Sequence, residues 1–132
     1  REIRKTRPDV VATSDPLYLY QRGRINHPDH RAAGQVVIDA IFPAVENRAF
    51  YPEFLDEGLE PHKVSELWLS LAAEPNFEMD VTRQWQRRLD ALLEHVSQVG
   101  DPETFLAHME ARRRAQWGEE MRYIEPFKRL IL

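Results

Sequence analysis

Hydrophobic and polar positions in the first third of the chain follow an order that predicts a strand and then a helix. A short apolar run from residue 9 to 13 lies between Pro8 and the polar stretch 14–16. It predicts a buried strand, which we expect to be parallel to its neighbours because helix-like sequence precedes it. Apolar residues then recur at helical spacing over residues 30–44, which predicts an amphipathic helix whose last turn contains Pro43.

The same two periods return in the second half of the chain. An apolar, aromatic run predicts a strand over 64–71, and alternation predicts a half-buried strand over 77–81. Helical spacing follows over 82–98, and Asp101-Pro102 has the composition of an N-cap and first helical residue. The tail from 123 to 132 is apolar enough to dock on the rest. Strands that alternate with helices predict the α/β class with a mainly parallel sheet.

Two longer segments lack regular periodicity and are predicted to be loops. Residues 14–26 leave the carboxyl end of the first strand, which is the edge where ligands bind in open α/β sheets. Their candidate substrate contacts are Tyr18, Tyr20 and Arg22. Residues 46–62 carry three aromatic side chains, Phe50, Tyr51 and Phe54. These side chains fit either a subunit contact or, as we favour, packing against their own domain.

Composition narrows the class of protein. The length of 132 residues suits one domain, and a net charge of −4 argues against a nucleic-acid surface. No apolar run approaches the roughly 18 residues of a membrane span, and no signal peptide is visible. Cysteine is absent, which excludes disulfides and thiolate metal sites and fits a cytoplasmic protein. Because the chain begins with helix-like sequence at Arg1 rather than Met, we expect it to be the later part of a longer protein.

The stretch His27-Pro28-Asp29-His30 is the strongest chemical signal. If a helix begins at Asp29 or His30, both imidazoles can reach one point in space. Neutral imidazole is a good zinc ligand, and a neighbouring carboxylate can fix a ring's tautomer. The pattern therefore predicts a metal or acid/base role, with a structural role as the alternative. A catalytic zinc commonly has three protein ligands and a water, so other segments must supply the rest.

Other candidates for chemistry are weaker. The remaining histidines have no metal-ligand spacing to one another and are predicted to be structural or solvated: His62 at the surface, His95 at a helix end and His108 mid-helix. The run Arg112 to Arg114 resembles a phosphate patch, but the acidic residues around it favour a solvated helix face. Trp68 and Trp85 fall on apolar faces and are predicted to be core residues. No nucleophile elbow, phosphate loop or dinucleotide fingerprint is present.

The sequence resembles a known family in several segments. Pro8-Asp9-Val10-Val11, Asp15-Pro16 and the run from Asn26 to Gly34 are similar to the second signature of the LmbE-like, or PIG-L, family of zinc-dependent N-deacetylases. Glu60 to Val64 and Ala91 to Gln98 resemble that family's carboxyl-terminal half. The resemblance implies the carboxyl-terminal part of a Rossmann-like three-layer sandwich of the LmbE-like type. Residues 1–132 would form a single-domain fragment of it.

The resemblance also implies an activity and site residues. Members remove an acetyl group from an N-acetylated sugar or a related amide. It implies that His30 is a zinc ligand, that His27 acts on the developing oxyanion or the leaving amine, and that Asp29 orients His27. Residues that bind the substrate are unknown. The implied partner is a small acetylated molecule, without nucleic acid or a membrane span, and a homo-oligomer is compatible with it.

The family's first signature, Ala-His-Pro-Asp-Asp, is absent, and the chain contains no Asp-Asp pair. Because that signature supplies two zinc ligands and the general base, the remaining ligands are not in this chain. We therefore expect the fragment alone to be inactive and the intact parent to be the enzyme. Two alternatives stay open: a non-catalytic binding or assembly module of the same fold, and a metal-dependent phosphoesterase, which needs more ligands than the chain offers.

Overall fold

The structure is a computed structural model, and it describes residues 1–21, 23–120 and 122–132. Its strands are β1 (Val10–Ser14), β2 (Tyr20–Gln21), β3 (Arg24–Ile25), β4 (Glu66–Ser70), β5 (Phe77–Asp80) and β6 (Ile124–Ile131). Its helices are α1 (Glu2–Thr6), α2 (Pro28–Asp39), α3 (Glu53–Asp56), α4 (Trp85–Leu93), α5 (Val96–Val99) and α6 (Pro102–Trp117). None of the helices in these ranges has the length and apolar character that crossing a membrane requires.

The main sheet is mixed. Its strand order is β1-β4-β6-β5, while β2 and β3 form a separate antiparallel hairpin. β1 pairs with β4 in parallel, as predicted, and Val11 lies opposite Leu67. β4 pairs with β6 in the antiparallel sense, and Leu67 lies opposite Leu130. The α/β class is confirmed, but the expectation of a mainly parallel sheet is wrong because the apolar tail returns as a strand beside β4.

The chain divides into two compact units, residues 1–77 with 126–132 and residues 78–125. The core of the first unit lies between β4 and the end of α2. Its buried members are Ile41, Val64, Leu67 and Leu69, with Ile3, Val11, Val37 and Ile38 packed against them. Burial alternates along β4, so this strand turns one face to the core, as its period predicts.

Several expectations for the first unit need correction. β1 is half-buried rather than buried, and Val10 at its start is 40% exposed. The regular helix α2 ends at Asp39 and not at residue 44. Wider turns follow over Ala40–Val45, with Phe42 in an extended conformation. The residue before a proline is pushed out of the helical region, so Pro43 breaks the helix earlier than its period indicates.

The aromatic residues of the first unit also differ from their predicted burial. Trp68 is half-buried on β4, where its indole N–H donates to Glu66. The prediction that it is a core residue is therefore wrong. In the segment predicted to be a loop, Phe54 stacks on Tyr51 and lies under the guanidinium of Arg4. Phe54 thus packs against its own domain as predicted, whereas Phe50 and Tyr51 are 41% and 53% exposed.

The second unit contains α4, α5 and α6. The single helix predicted over 82–98 is interrupted, because His95 leaves the helical region between α4 and α5. The start of α6 is confirmed, since the Asp101 carboxylate accepts the backbone N–H of Thr104 at 2.8 Å. Trp85 is half-buried rather than a core residue, and it stacks on Tyr123.

Candidate functional site

The histidine pair lies in the first turn of α2. His27 is the N-cap in an extended conformation, and Pro28 occupies the first helical position. Proline is favoured there because its missing N–H has no helical partner to lose. The helix therefore begins at Pro28, slightly before the predicted start, and His30 is in its first turn as expected. The negative charge of Asp29 in the same turn interacts favourably with the dipole at the helix N-terminus.

A close approach at Gly34 fixes where this helix lies. A Cβ atom at Gly34 would be 2.2 Å from the carbonyl oxygen of Ser14 and 3.1 Å from Pro16. Ser14 is the last residue of β1. The middle of α2 therefore packs directly on the carboxyl end of β1, and His30 is one helical turn earlier. This is the edge of the sheet at which the sequence predicts a ligand site.

The ring of His27 is held by the backbone rather than by the side chain of Asp29. Its Nδ1 accepts the backbone N–H of Asp29 at 3.2 Å, while the Asp29 carboxylate oxygen is 3.6 Å away. Because a backbone N–H can only donate, Nδ1 carries the lone pair in the neutral ring and Nε2 carries the proton. His27 thus offers an N–H donor to solvent, with its side chain 62% exposed.

The ring of His30 is held from the other side. Its Nδ1 lies 3.0 Å from the amide oxygen of Asn26, and the ring centroids of His27 and His30 are 6.0 Å apart. This bond leaves Nε2 as the ring nitrogen that can bind a metal, which is the usual arrangement for a metal-ligating histidine. Both rings are exposed, so a substrate or metal can reach them.

Asn26 is a site residue that sequence reasoning missed. It is only 5% exposed, and it bonds through its backbone N–H to Leu19, through its side-chain amide to Tyr18, and through its carbonyl to Arg31. The sequence signal was its spacing of four from His30, which suits a contact across one helical turn. That spacing alone does not reveal burial.

The residues fit one ligand position of a metal site and no more. His30 has the free nitrogen and the fixed ring that a zinc ligand needs. Within the described ranges, however, no group of three or more histidine, cysteine or acidic residues is placed to hold a metal ion. A catalytic zinc commonly has three protein ligands. The described residues therefore do not make a complete zinc site.

The other histidines and the loop tyrosines differ in their burial and in their hydrogen-bond partners. His62 is half-buried rather than at the surface, and its Nε2–H donates to the carbonyl of Pro8 at 2.8 Å. His95 and His108 are exposed. Of the candidate substrate contacts, Tyr20 is 74% exposed, whereas Tyr18 is half-buried with its carbonyl bound to Asn26. Arg22 lies outside the described residues.

The arginine run is structural at its centre. Arg113 is 4% exposed, and its guanidinium makes two bonds to Glu110 and two to the carbonyls of Gly118 and Glu120. The two bonds from Arg113 to Glu110, with one from Arg114, lower the pKa of the Glu110 carboxyl to about 2. Arg113 therefore does not lie on a solvated helix face as predicted, and its guanidinium is already bonded within the protein.

Comparison with known proteins places these observations in a family. No protein-family model matches the chain. The diacetylchitobiose deacetylase of Thermococcus kodakarensis is 35% identical over 97 residues, which are 73% of this chain and 34% of that protein. The structure of the N,N'-diacetylchitobiose deacetylase of Pyrococcus horikoshii with its inhibitor MPG has a TM-score of 0.76 and 30% identity, over 98% of this chain and 48% of that one.

A conserved protein of Thermus thermophilus is also similar, with a TM-score of 0.66 and 25% identity over 96% of this chain and 53% of that one. The chain thus spans between a third and about half of the length of these relatives. The likeness confirms the α/β fold of the LmbE-like type. With the sequence match, it shows that this chain belongs to the LmbE-like, or PIG-L, deacetylase family.

Proposed function

We propose that the whole protein containing these residues removes the acetyl group from an N-acetylated amino sugar in a zinc-dependent reaction. The observation that carries the proposal is the pair of imidazoles in the first turn of α2, with ring centroids 6.0 Å apart. The sugar substrate is proposed because two relatives are named as deacetylases of diacetylchitobiose. Residues 1–132 are proposed to be part of one deacetylase domain, in a cytoplasmic protein.

The two histidines and Asp29 are proposed to have different roles. His30 contributes one metal ligand through Nε2, and residues outside this sequence contribute the others. His27 donates its Nε2–H to the oxygen or the nitrogen of the amide as charge develops there. Asp29 holds His27 by its backbone N–H, and its carboxylate, 3.6 Å away, stabilises the ring whenever it becomes protonated. Zinc, when bound, would polarise the amide carbonyl and lower the pKa of a water molecule.

Three substitutions in the full-length, zinc-loaded protein test these roles. His30→Ala should lose zinc and activity together. His27→Ala should keep zinc but lose turnover, on the order of 10²-fold or more, because it removes a group that acts mainly in the transition state. Asp29→Asn should keep zinc and have a turnover between that of the parent and that of His27→Ala, since its backbone N–H remains. The measurements are zinc content and acetate release from N-acetylglucosamine and N,N'-diacetylchitobiose.

His108→Ala is the matched control, because His108 is also exposed and lies on a different helix. It should leave both readouts unchanged. If His27→Ala releases acetate as fast as the parent, its catalytic assignment is wrong. If the intact protein binds zinc but never hydrolyses an acetylated sugar or amide, the deacetylase proposal fails. The non-catalytic binding module is then the better description.

A further inference from the structure

The orientation of the Asn26 side chain follows from its partners. One end of the amide lies 2.8 Å from the carbonyl oxygen of Tyr18. A backbone carbonyl oxygen can only accept a hydrogen bond, so the amide NH₂ must be the end that faces Tyr18. The amide oxygen is therefore the end that faces Nδ1 of His30, at 3.0 Å. An amide oxygen can only accept, and so Nδ1 of His30 must carry a proton.

We infer that Asn26 is a positioning residue that holds the neutral His30 ring in its Nδ1–H tautomer and so keeps Nε2 unprotonated. The metal-binding consequence rests on the proposed function, while the tautomer itself does not. A free histidine side chain prefers the opposite tautomer, with the proton on Nε2. In that form Nε2 would have to lose its proton before it could bind a metal. Because of Asn26, Nε2 does not have to lose a proton first. That loss would otherwise lower the affinity of His30 for the metal.

The residues around Asn26 hold its side chain in a fixed position. Water competes poorly for the amide, because the residue is 5% exposed. Its backbone is held at both ends, by the bond from its N–H to Leu19 at 2.9 Å and by the bond from Arg31 to its carbonyl at 2.7 Å. Arg31 follows His30 in the first turn of α2, so the amide and the ring are fixed to the same helix end. The hydrogen bond to this fixed amide therefore sets the tautomer of the His30 ring.

Two variants of Asn26 separate the effect of its amide oxygen, which accepts from His30, from the effect of its amide NH₂, which donates to Tyr18. Asn26→Leu keeps the number of side-chain heavy atoms and the branching at Cγ, and it removes both the acceptor for His30 and the donor to Tyr18. Asn26→Asp keeps an acceptor for His30 and loses only the donor to Tyr18. Asn76→Leu is the matched control, because Asn76 also uses both of its amide atoms in hydrogen bonds, in its case to the backbone of Arg129.

The readout is ¹⁵N NMR of the full-length, metal-free protein labelled at histidine, at a pH well above the usual range of imidazole titration. The His30 signals are assigned with His30→Gln. The parent, Asn26→Asp and Asn76→Leu should show protonated Nδ1 and unprotonated Nε2 at His30, whereas Asn26→Leu should shift to the Nε2–H form. Zinc affinity, measured by calorimetry, should fall on the order of 10- to 100-fold for Asn26→Leu and less for Asn26→Asp.

Each outcome decides the inference. If the parent carries the His30 proton on Nε2, or if folded Asn26→Leu keeps the Nδ1–H form, the inference is wrong. If circular dichroism shows that Asn26→Leu is unfolded, the parent and Asn26→Asp spectra decide, and loss of the Nδ1–H form in folded Asn26→Asp overturns the role of the acceptor. A parent that shows the Nδ1–H tautomer but no deacetylation leaves the inference standing and refutes only the proposed function.

Discussion

Replacing Gly34 by alanine should destabilise the protein, against the usual rule for helices. In the interior of a helix, Gly→Ala normally stabilises by about 1 kcal/mol, because alanine has the better helix propensity. At Gly34 the added methyl would lie 2.2 Å from the carbonyl oxygen of Ser14. An ordinary carbon–oxygen contact is about 3.3 Å, so the helix and the end of β1 must separate by about 1 Å. The Ser14 oxygen is a backbone atom and the ring of Pro16 is closed onto the backbone, so neither can rotate away.

The expected cost follows from the packing of this contact. Overpacking of this kind costs about 1–3 kcal/mol, or occasionally more, which outweighs the gain in helix propensity. The same separation moves the first turn of α2, with His27 and His30, relative to the sheet. A misplacement of about 1 Å in a catalytic group can cost on the order of 10²-fold in rate. We therefore expect Gly34→Ala to lower both the free energy of unfolding and the rate of the proposed deacetylation.

Urea denaturation followed by tryptophan fluorescence measures the first effect, and acetate release by the zinc-loaded, full-length protein measures the second. Ala33→Ser is the matched control, because Ala33 is the exposed neighbour of Gly34 on the same helix. It should change the free energy of unfolding by no more than about 0.5 kcal/mol. A Gly34→Ala protein that is more stable than the parent would refute the close approach of α2 to β1.

Two further predictions concern stability in each unit. The pKa of Glu110 is lowered to about 2 by its bonds from Arg113 and Arg114, so its carboxylate stabilises the fold above pH 4.5 and loses that contribution as the pH falls towards 2. Acid titration of the unfolding free energy should show Glu110→Gln approaching the parent over this window, and a constant difference would contradict the assignment. Leu67→Ala should cost about 2–5 kcal/mol in urea denaturation because Leu67 is buried. Leu17→Ala, at an 88% exposed leucine, should cost almost nothing, and equal losses would show that the core is placed wrongly.

The parts of the fold that could be predicted from sequence are those with local causes. β4 and β5 follow from apolar runs and alternation within a few residues, and their observed bounds lie inside the predicted ones. The start of α6 follows from Asp101 and Pro102, which act on the helix end next to them. Pro28 is the same kind of local signal for the start of α2. The apolar periodicity of this helix, taken alone, does not reveal where it starts.

The parts that could not be predicted depend on contacts that no pattern in the sequence reveals. β6 is a strand because β4 lies beside it, and the tail itself shows only that it is apolar. The hairpin of β2 and β3 is too short for a period to appear within it. Asn26 and Arg113 are buried polar residues whose partners come from several turns or loops. In each case the stabilising contact is visible only after the chain has folded.

The candidate site shows how one helix end can give two chemically identical side chains different properties. His27, as the N-cap, receives a backbone N–H on Nδ1 and therefore presents a donor at Nε2. His30, in the same turn, gives its Nδ1–H to Asn26 and therefore presents a lone pair at Nε2. Either imidazole could serve as a metal ligand or as a proton donor by its chemistry alone. Their partners at Nδ1 separate the two roles, and those partners are fixed by the first turn of the helix and by Asn26, the residue that precedes it.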